Sequence, residues 1–224
     1  RRHTRYGTVT GVQTCALPIL KIIKQILTVD PYDFQVHFNL GFMYGHLNEL
    51  EQSMYHYKLS LFMIEKEKEL CKLKNISDTK GLDEFRIKCL NGIGTIYFHI
   101  QDRDTALYYF YKAYDLNPND PDINNQLGVT YTEIRNTEKA MYHYNKGIEN
   151  YNEAIISQDK EMLIASMYMN RGLVLCYECN FTDAIESYNQ ALKYKPRLSL
   201  AYQNKLLDLN YISHLIENPM YIAK

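Results

Sequence analysis

Residues 87–118 set the pattern for the whole chain. Leu90, Ile93, Gly94 and Tyr97 lie three or four apart and so share one helical face. The run Gln101, Asp102, Arg103, Asp104 breaks the apolar spacing with polar turn formers. Ala106, Phe110 and Ala113 then mark a second helical face, and Pro118 ends it. Gly94 falls in mid-helix, where glycine costs roughly 0.5–1 kcal/mol relative to alanine. That cost is offset where a neighbouring helix lies too close to admit a Cβ. Each such pair of helices buries its surface only against its neighbours.

The unit recurs. A step of 34 residues places Gly128 on Gly94, Tyr131 on Tyr97, Ala140 on Ala106, Tyr144 on Phe110 and Gly147 on Ala113. Leu40, Gly41, Tyr44, Ser53, Tyr57 and Ser60 repeat it earlier, and Gly172, Ala184, Tyr188, Ala191 and Pro196 repeat it later. The peptides from Met54 to Lys58 and from Met141 to Lys146 are close to one text written twice. A helix–turn–helix of this period, with two small positions, two aromatic positions and a closing proline, resembles the tetratricopeptide repeat. The resemblance covers about residues 20–210. It implies an all-α, right-handed superhelical solenoid of helix–turn–helix units whose first helices line a concave groove.

Formal net charge is −1, with acids and bases mixed along the chain. That leaves no electrostatic footprint for nucleic acid or an anionic membrane. No apolar run reaches the eighteen or so residues needed to span a bilayer. Partners are therefore expected to be protein or peptide, with no nucleic acid and no membrane, and the oligomeric state is left open. Five cysteines are present. Cys176 and Cys179 form a CxxC, but it falls within a helical segment without a second pair, so thiols in a reducing cytoplasm are expected and no metal or cofactor.

Residues 1–19 do not follow the pattern. They resemble translated sequencing-adaptor readthrough and are set aside as a non-native or disordered leader. Residues 20–32, with Ile22, Ile23, Ile26 and Leu27 as an apolar stripe and Pro31 at the closing position, read as the second helix of a truncated repeat. The array proper spans 33–210, four units and the start of a fifth, and 211–224 is a truncated C-terminal segment. Two units lack the closing proline, having Glu65 and Asn152 there, and each is followed by extra residues. Nothing stops their second helices, so extended helices are expected near 61–86 and 148–164, with Glu65/Lys68 and Glu69/Lys72 pairs along the first.

The candidate binding residues are amides just before the mid-helix glycine position: Asn39, Gln126, Asn170 and Asn204, with Gly92 interrupting the row. An amide both donates and accepts, which suits the backbone of an extended peptide. Chaperone-binding members of the family hold a terminal carboxylate with lysine, asparagine and a basic pair. The corresponding faces here carry Phe38, Gly92, Asn125 and Gln126 without that pair, so this mode is excluded. His56 and His143 share one repeat position and read as surface or inter-helix residues. No nucleophile–base set, phosphate loop or paired carboxylates can be assigned, and the glycines at 92 and 94 have no preceding strand. The chain reads as a peptide-binding scaffold, not an enzyme.

Residues 201–211 resemble the segment that closes the repeat array of O-linked N-acetylglucosamine transferase-like proteins. The amide row resembles that family's asparagine ladder at Asn39, Asn170 and Asn204. The alternative reading is thus a severed substrate-recognition arm of such a glycosyltransferase, without its catalytic lobes.

Overall fold

A computed structural model describes the backbone of residues 9–151 and 158–217. Among these it forms ten helices and no strand. They fall into two compact units, Arg1–Asn117 and Pro118–Lys224.

The first unit holds α1 (Val9–Val29), α2 (Phe34–His46), α3 (Leu50–Leu73), α4 (Lys80–His99) and α5 (Arg103–Leu116). α2 pairs with α3 and α4 with α5, so each predicted unit is one helical hairpin. The second holds α6 (Pro121–Glu133), α7 (Thr137–Glu149), α8 (Gln158–Tyr177), α9 (Phe181–Tyr194) and α10 (Ser199–Glu217), with α6 paired to α7 and α8 to α9. Side-chain caps start five of them. The carboxylates of Asp33, Asp102 and Asp120 and the amide oxygens of Asn136 and Asn180 accept from backbone N–H groups of the first turn.

One contact is built four times. A Cβ placed on Gly41, Gly94, Gly128 or Gly172 would lie 2.7, 2.6, 2.5 or 2.5 Å from the ring of Tyr57, Phe110, Tyr144 or Tyr188. The glycine on the first helix thus leaves room for an aromatic ring from the second. Burying that ring offsets the propensity cost of the glycine. The small residues complete the lock: Ser53, Ser60, Ala106, Ala113, Ala140, Ala184 and Ala191 are all fully buried. Where serine replaces alanine its hydroxyl needs an acceptor. Ser53 Oγ donates to the Gly41 carbonyl at 2.6 Å and Ser60 Oγ to that of Phe34 at 2.8 Å.

The hairpin turns share one backbone solution. Asn48, Gln101, Arg135 and Cys179 adopt φ of 60, 70, 63 and 59°, and the next N–H bonds back across the turn, as from Asn136 to the Tyr131 carbonyl at 2.9 Å. Glycine takes that conformation without the Cβ clash that costs an L-residue about 1–2 kcal/mol. Replacing the exposed Cys179 with glycine is therefore expected to raise stability by about 1 kcal/mol. A lower urea midpoint for that variant than for the parent would contradict the strain.

Several expected boundaries move. α1 begins at Val9, not Leu20, and contains Pro18, which gives up one backbone bond without ending the helix. Residues 1–8 lie outside the described ones. α3 runs unbroken to Leu73, and α4 begins at Lys80, so the insertion here lengthens two helices. Its ion pairs cross between them: Lys68 meets Asp83 at 2.6 Å and Arg86 meets Glu65 at 2.8 Å, with Lys66–Glu69 along α3. The expected Glu65/Lys68 pairing gives way because α4 offers each a partner across the gap. α7 ends at Glu149, where the Asn150 N–H closes on Lys146 and Ile148, so the helix is not extended there. Residues 152–157 are outside the described ones, and α8 starts at Gln158.

Candidate functional site

The four amides stand on first helices. Asn39 is exposed on α2 in the first unit. Gln126 on α6, Asn170 on α8 and Asn204 on α10 are half-buried, on helices of the second unit that pack side by side. Their side chains form no hydrogen bond among the described residues. Gly92 breaks the row for a steric reason. A Cβ there would lie 2.6 Å from the Tyr57 ring, which is thus clasped between Gly41 and Gly92.

One position earlier, α4 and α6 carry Asn91 and Asn125, a further repeated pair. The Oδ1 of each is closed off from solvent without a hydrogen-bond partner. These oxygens cannot reach a ligand in this state. Phe38, the equivalent on α2, packs edge-on against Phe85 with ring centroids 5.4 Å apart.

His56 and His143 prove to be inter-helix and buried, and each anchors a polar cluster that the sequence reading missed. In the second unit, His143 Nδ1 lies 3.0 Å from Asn124 Oδ1, and Asn124 Nδ2 donates to the carbonyls of Pro118 and Asp120, both at 2.9 Å. In the first unit, His56 Nδ1 lies 3.0 Å from His37 Nδ1, and His37 Nε2 lies 3.1 Å from the Pro31 carbonyl. Tyr131 stacks on His143 and Tyr44 on His56 with interplanar angles of 5 and 4°. The two clusters correspond residue for residue, with His37 in place of Asn124. The signal was legible: the near-identical MYHY peptides imply near-identical surroundings. Burial leads in lowering both imidazoles, His56 and His143, to about 4.

Arg171, which departs from the repeat pattern, stitches two hairpins. Its Nε donates to Ser187 Oγ at 3.2 Å and its guanidinium reaches Asn145 Oδ1 at 3.4 Å. The CxxC is split. Cys179 is exposed in the turn, whereas Cys176 Sγ donates to the buried Asp208 Oδ1 at 3.2 Å. Burial, reinforced by Asp208, pushes the Cys176 thiol up to about 11, so it stays protonated. Among the described residues no group of His, Cys, Asp and Glu is gathered to hold a metal, and no helix is long and apolar enough to cross a membrane.

Residues 87–120 match the sequence model of the tetratricopeptide repeat. No curated protein matches the chain. The crystal structure of MamA protein matches with a TM-score of 0.56 at 18% identity, covering 84% of this chain and 87% of that one. BtubC (BKLC) from P. vanneervenii gives 0.66 at 14% identity over 92% and 85% of the two chains. The first TPR of Spaghetti (RPAP3), bound to the HSP90 peptide SRMEEVD, gives 0.51 at 17% identity over 57% and 94%. At these identities the likeness is one of fold. The protein is an all-α chain of tetratricopeptide-type hairpins, and it carries a tetratricopeptide repeat at 87–120.

Proposed function

We propose that the chain is a scaffold that binds a protein or an extended peptide segment through its first helices, and that it performs no reaction itself. The observation that carries this reading is the row of uncommitted amides at one repeat position, Asn39, Gln126, Asn170 and Asn204. Within the second unit, packed helices hold Gln126, Asn170 and Asn204 before a ligand arrives, so the ordering cost falls mainly on the peptide. A solved relative in fold, RPAP3, binds a short peptide, which supports the ligand class but not its sequence. The missing basic pair argues against a terminal carboxylate as the anchor. The resemblance to a transferase array rests on 201–211 and on Asn39, Asn170 and Asn204, and no transferase is part of the proposal.

Each amide-to-backbone bond contributes about 0.5–1.5 kcal/mol net, so affinity is spread over several hairpins. The test begins with a fluorescein-labelled peptide selected by display against the whole chain. Asn170→Ala is expected to weaken its binding several-fold with unchanged circular dichroism. Adding Asn39→Ala should weaken it further, roughly additively, since the two positions share no partners. Parent-like affinity in the double variant would refute the amide row.

A further inference from the structure

The geometry points to the His37–His56 pair as an acid-sensitive clasp that holds α2 against α3 at neutral pH and loosens the first hairpin in mild acid. This goes beyond the peptide-binding reading and does not depend on it.

The proton inventory is fixed by the neighbours. The Pro31 carbonyl can only accept, so His37 Nε2 carries a hydrogen and donates to it. Neutral His37 then has a bare Nδ1, which must accept from His56 Nδ1–H across 3.0 Å. Every proton in this arrangement has a defined place. When both rings are protonated, both Nδ1 atoms are donors, and two N–H groups of like charge face each other where one hydrogen bond stood.

Among the described residues, the influences named on the His56 ring all disfavour such charge. Lys24 of α1 acts on His56 as a second cation, and Glu49 acts on Lys24. Tyr44 of α2 stacks on the His56 ring and Tyr55 of α3 meets its edge. From α4, Cys89 donates to Ser60, one turn further along α3. Burial, then His37 and Lys24, hold the His56 imidazole near 4, well below its ordinary 6.5. A histidine with a depressed folded value contributes stability that is present above about 6.5 and is lost as pH falls from there toward about 4.

The second unit supplies the internal control. Asn124 replaces His37, and its amide accepts from His143 and donates to Pro118 without titrating. That cluster loses stability through one imidazole, His143, faced by Tyr131, Tyr142, Lys139 and Lys146. In the first cluster the group facing the imidazole is a second imidazole instead of an amide, so both facing ring nitrogens can come to carry hydrogen.

The test is hydrogen exchange on the whole chain at pH 7.5 and 5.0, read by mass spectrometry as protection factors, so that the intrinsic pH dependence of exchange is removed. Protection in α2 and α3 is expected to fall at least tenfold further than protection in α6 and α7. His37→Asn should reduce the fall in α2 and α3 to that of the second cluster. Asn124→His should transfer the larger fall to α6 and α7, and it keeps the question answerable if His37→Asn does not fold. Equal falls in the two parent hairpins, or a fall that neither substitution moves, would overturn the clasp.

Discussion

Replacing Tyr144 with alanine is expected to cost about 3–5 kcal/mol, the range for removing a fully buried aromatic side chain. The ring fills the space that Gly128 leaves, and its hydroxyl meets Thr132 Oγ1 at 3.2 Å. The opposite change, Gly128→Ala, is expected to cost about 1–3 kcal/mol, because its Cβ would stand 2.5 Å from that ring. The diagnostic result is the combination. With the ring gone, the same Gly128→Ala should become neutral or stabilising by up to about 1 kcal/mol, since alanine is the better helix former. Urea unfolding of the four proteins followed by circular dichroism measures the cycle. Additive costs would mean that the glycine and the ring do not meet.

Asn124→Ala should be nearly as damaging, at about 2–4 kcal/mol. It strips a side-chain donor from the carbonyls of the exposed Pro118 and of Asp120, which keeps the Asn124 N–H, and an acceptor from the buried His143, where a lost bond costs about 1–3 kcal/mol. Asn124→His at pH 7.5 should cost clearly less, because the first unit shows a histidine in that place making equivalent bonds to a carbonyl and a histidine. Thermal melts that rank the histidine variant at or below the alanine variant would show that packing, not hydrogen bonding, governs the position.

The hairpins were legible because their signals are local and repeated. Gly94, Phe110 and Pro118 mark a first helix, a second helix and a stop, and the same types recur at Gly128 and Tyr144. The close approach inferred from a mid-helix glycine is what the structure contains, with an aromatic ring as the close neighbour. The extension of α3 followed from a missing proline. The end of α7 did not, because its stop is a closure at Asn150, whose N–H and side-chain amide both bond back to the last turn. Along α3 the acid–base spacing suggested pairs within the helix. The partners actually taken by Lys68 and Glu65 belong to α4. A helical spacing shows which charges can meet along one helix, not which ones a second helix brings nearer.

The candidate site divides in the same way. Sequence alone determined the repeat register, and with it the positions of Asn39, Gln126, Asn170 and Asn204, because register depends only on spacing along the chain. It also determined that His56 and His143 are equivalent. What sits across from them was decided by tertiary structure. His37 and Asn124 lie on the preceding helix, and only the packing of that helix turns a pair of like residues into a donor, an acceptor and a carbonyl in line. The same holds for Gly92, a gap in a row when read as text and a seat for the Tyr57 ring once two hairpins are packed. Periodicity encodes which face a residue occupies. The identity of the group facing it depends on how close two faces come, and that distance is set by the side chains of both.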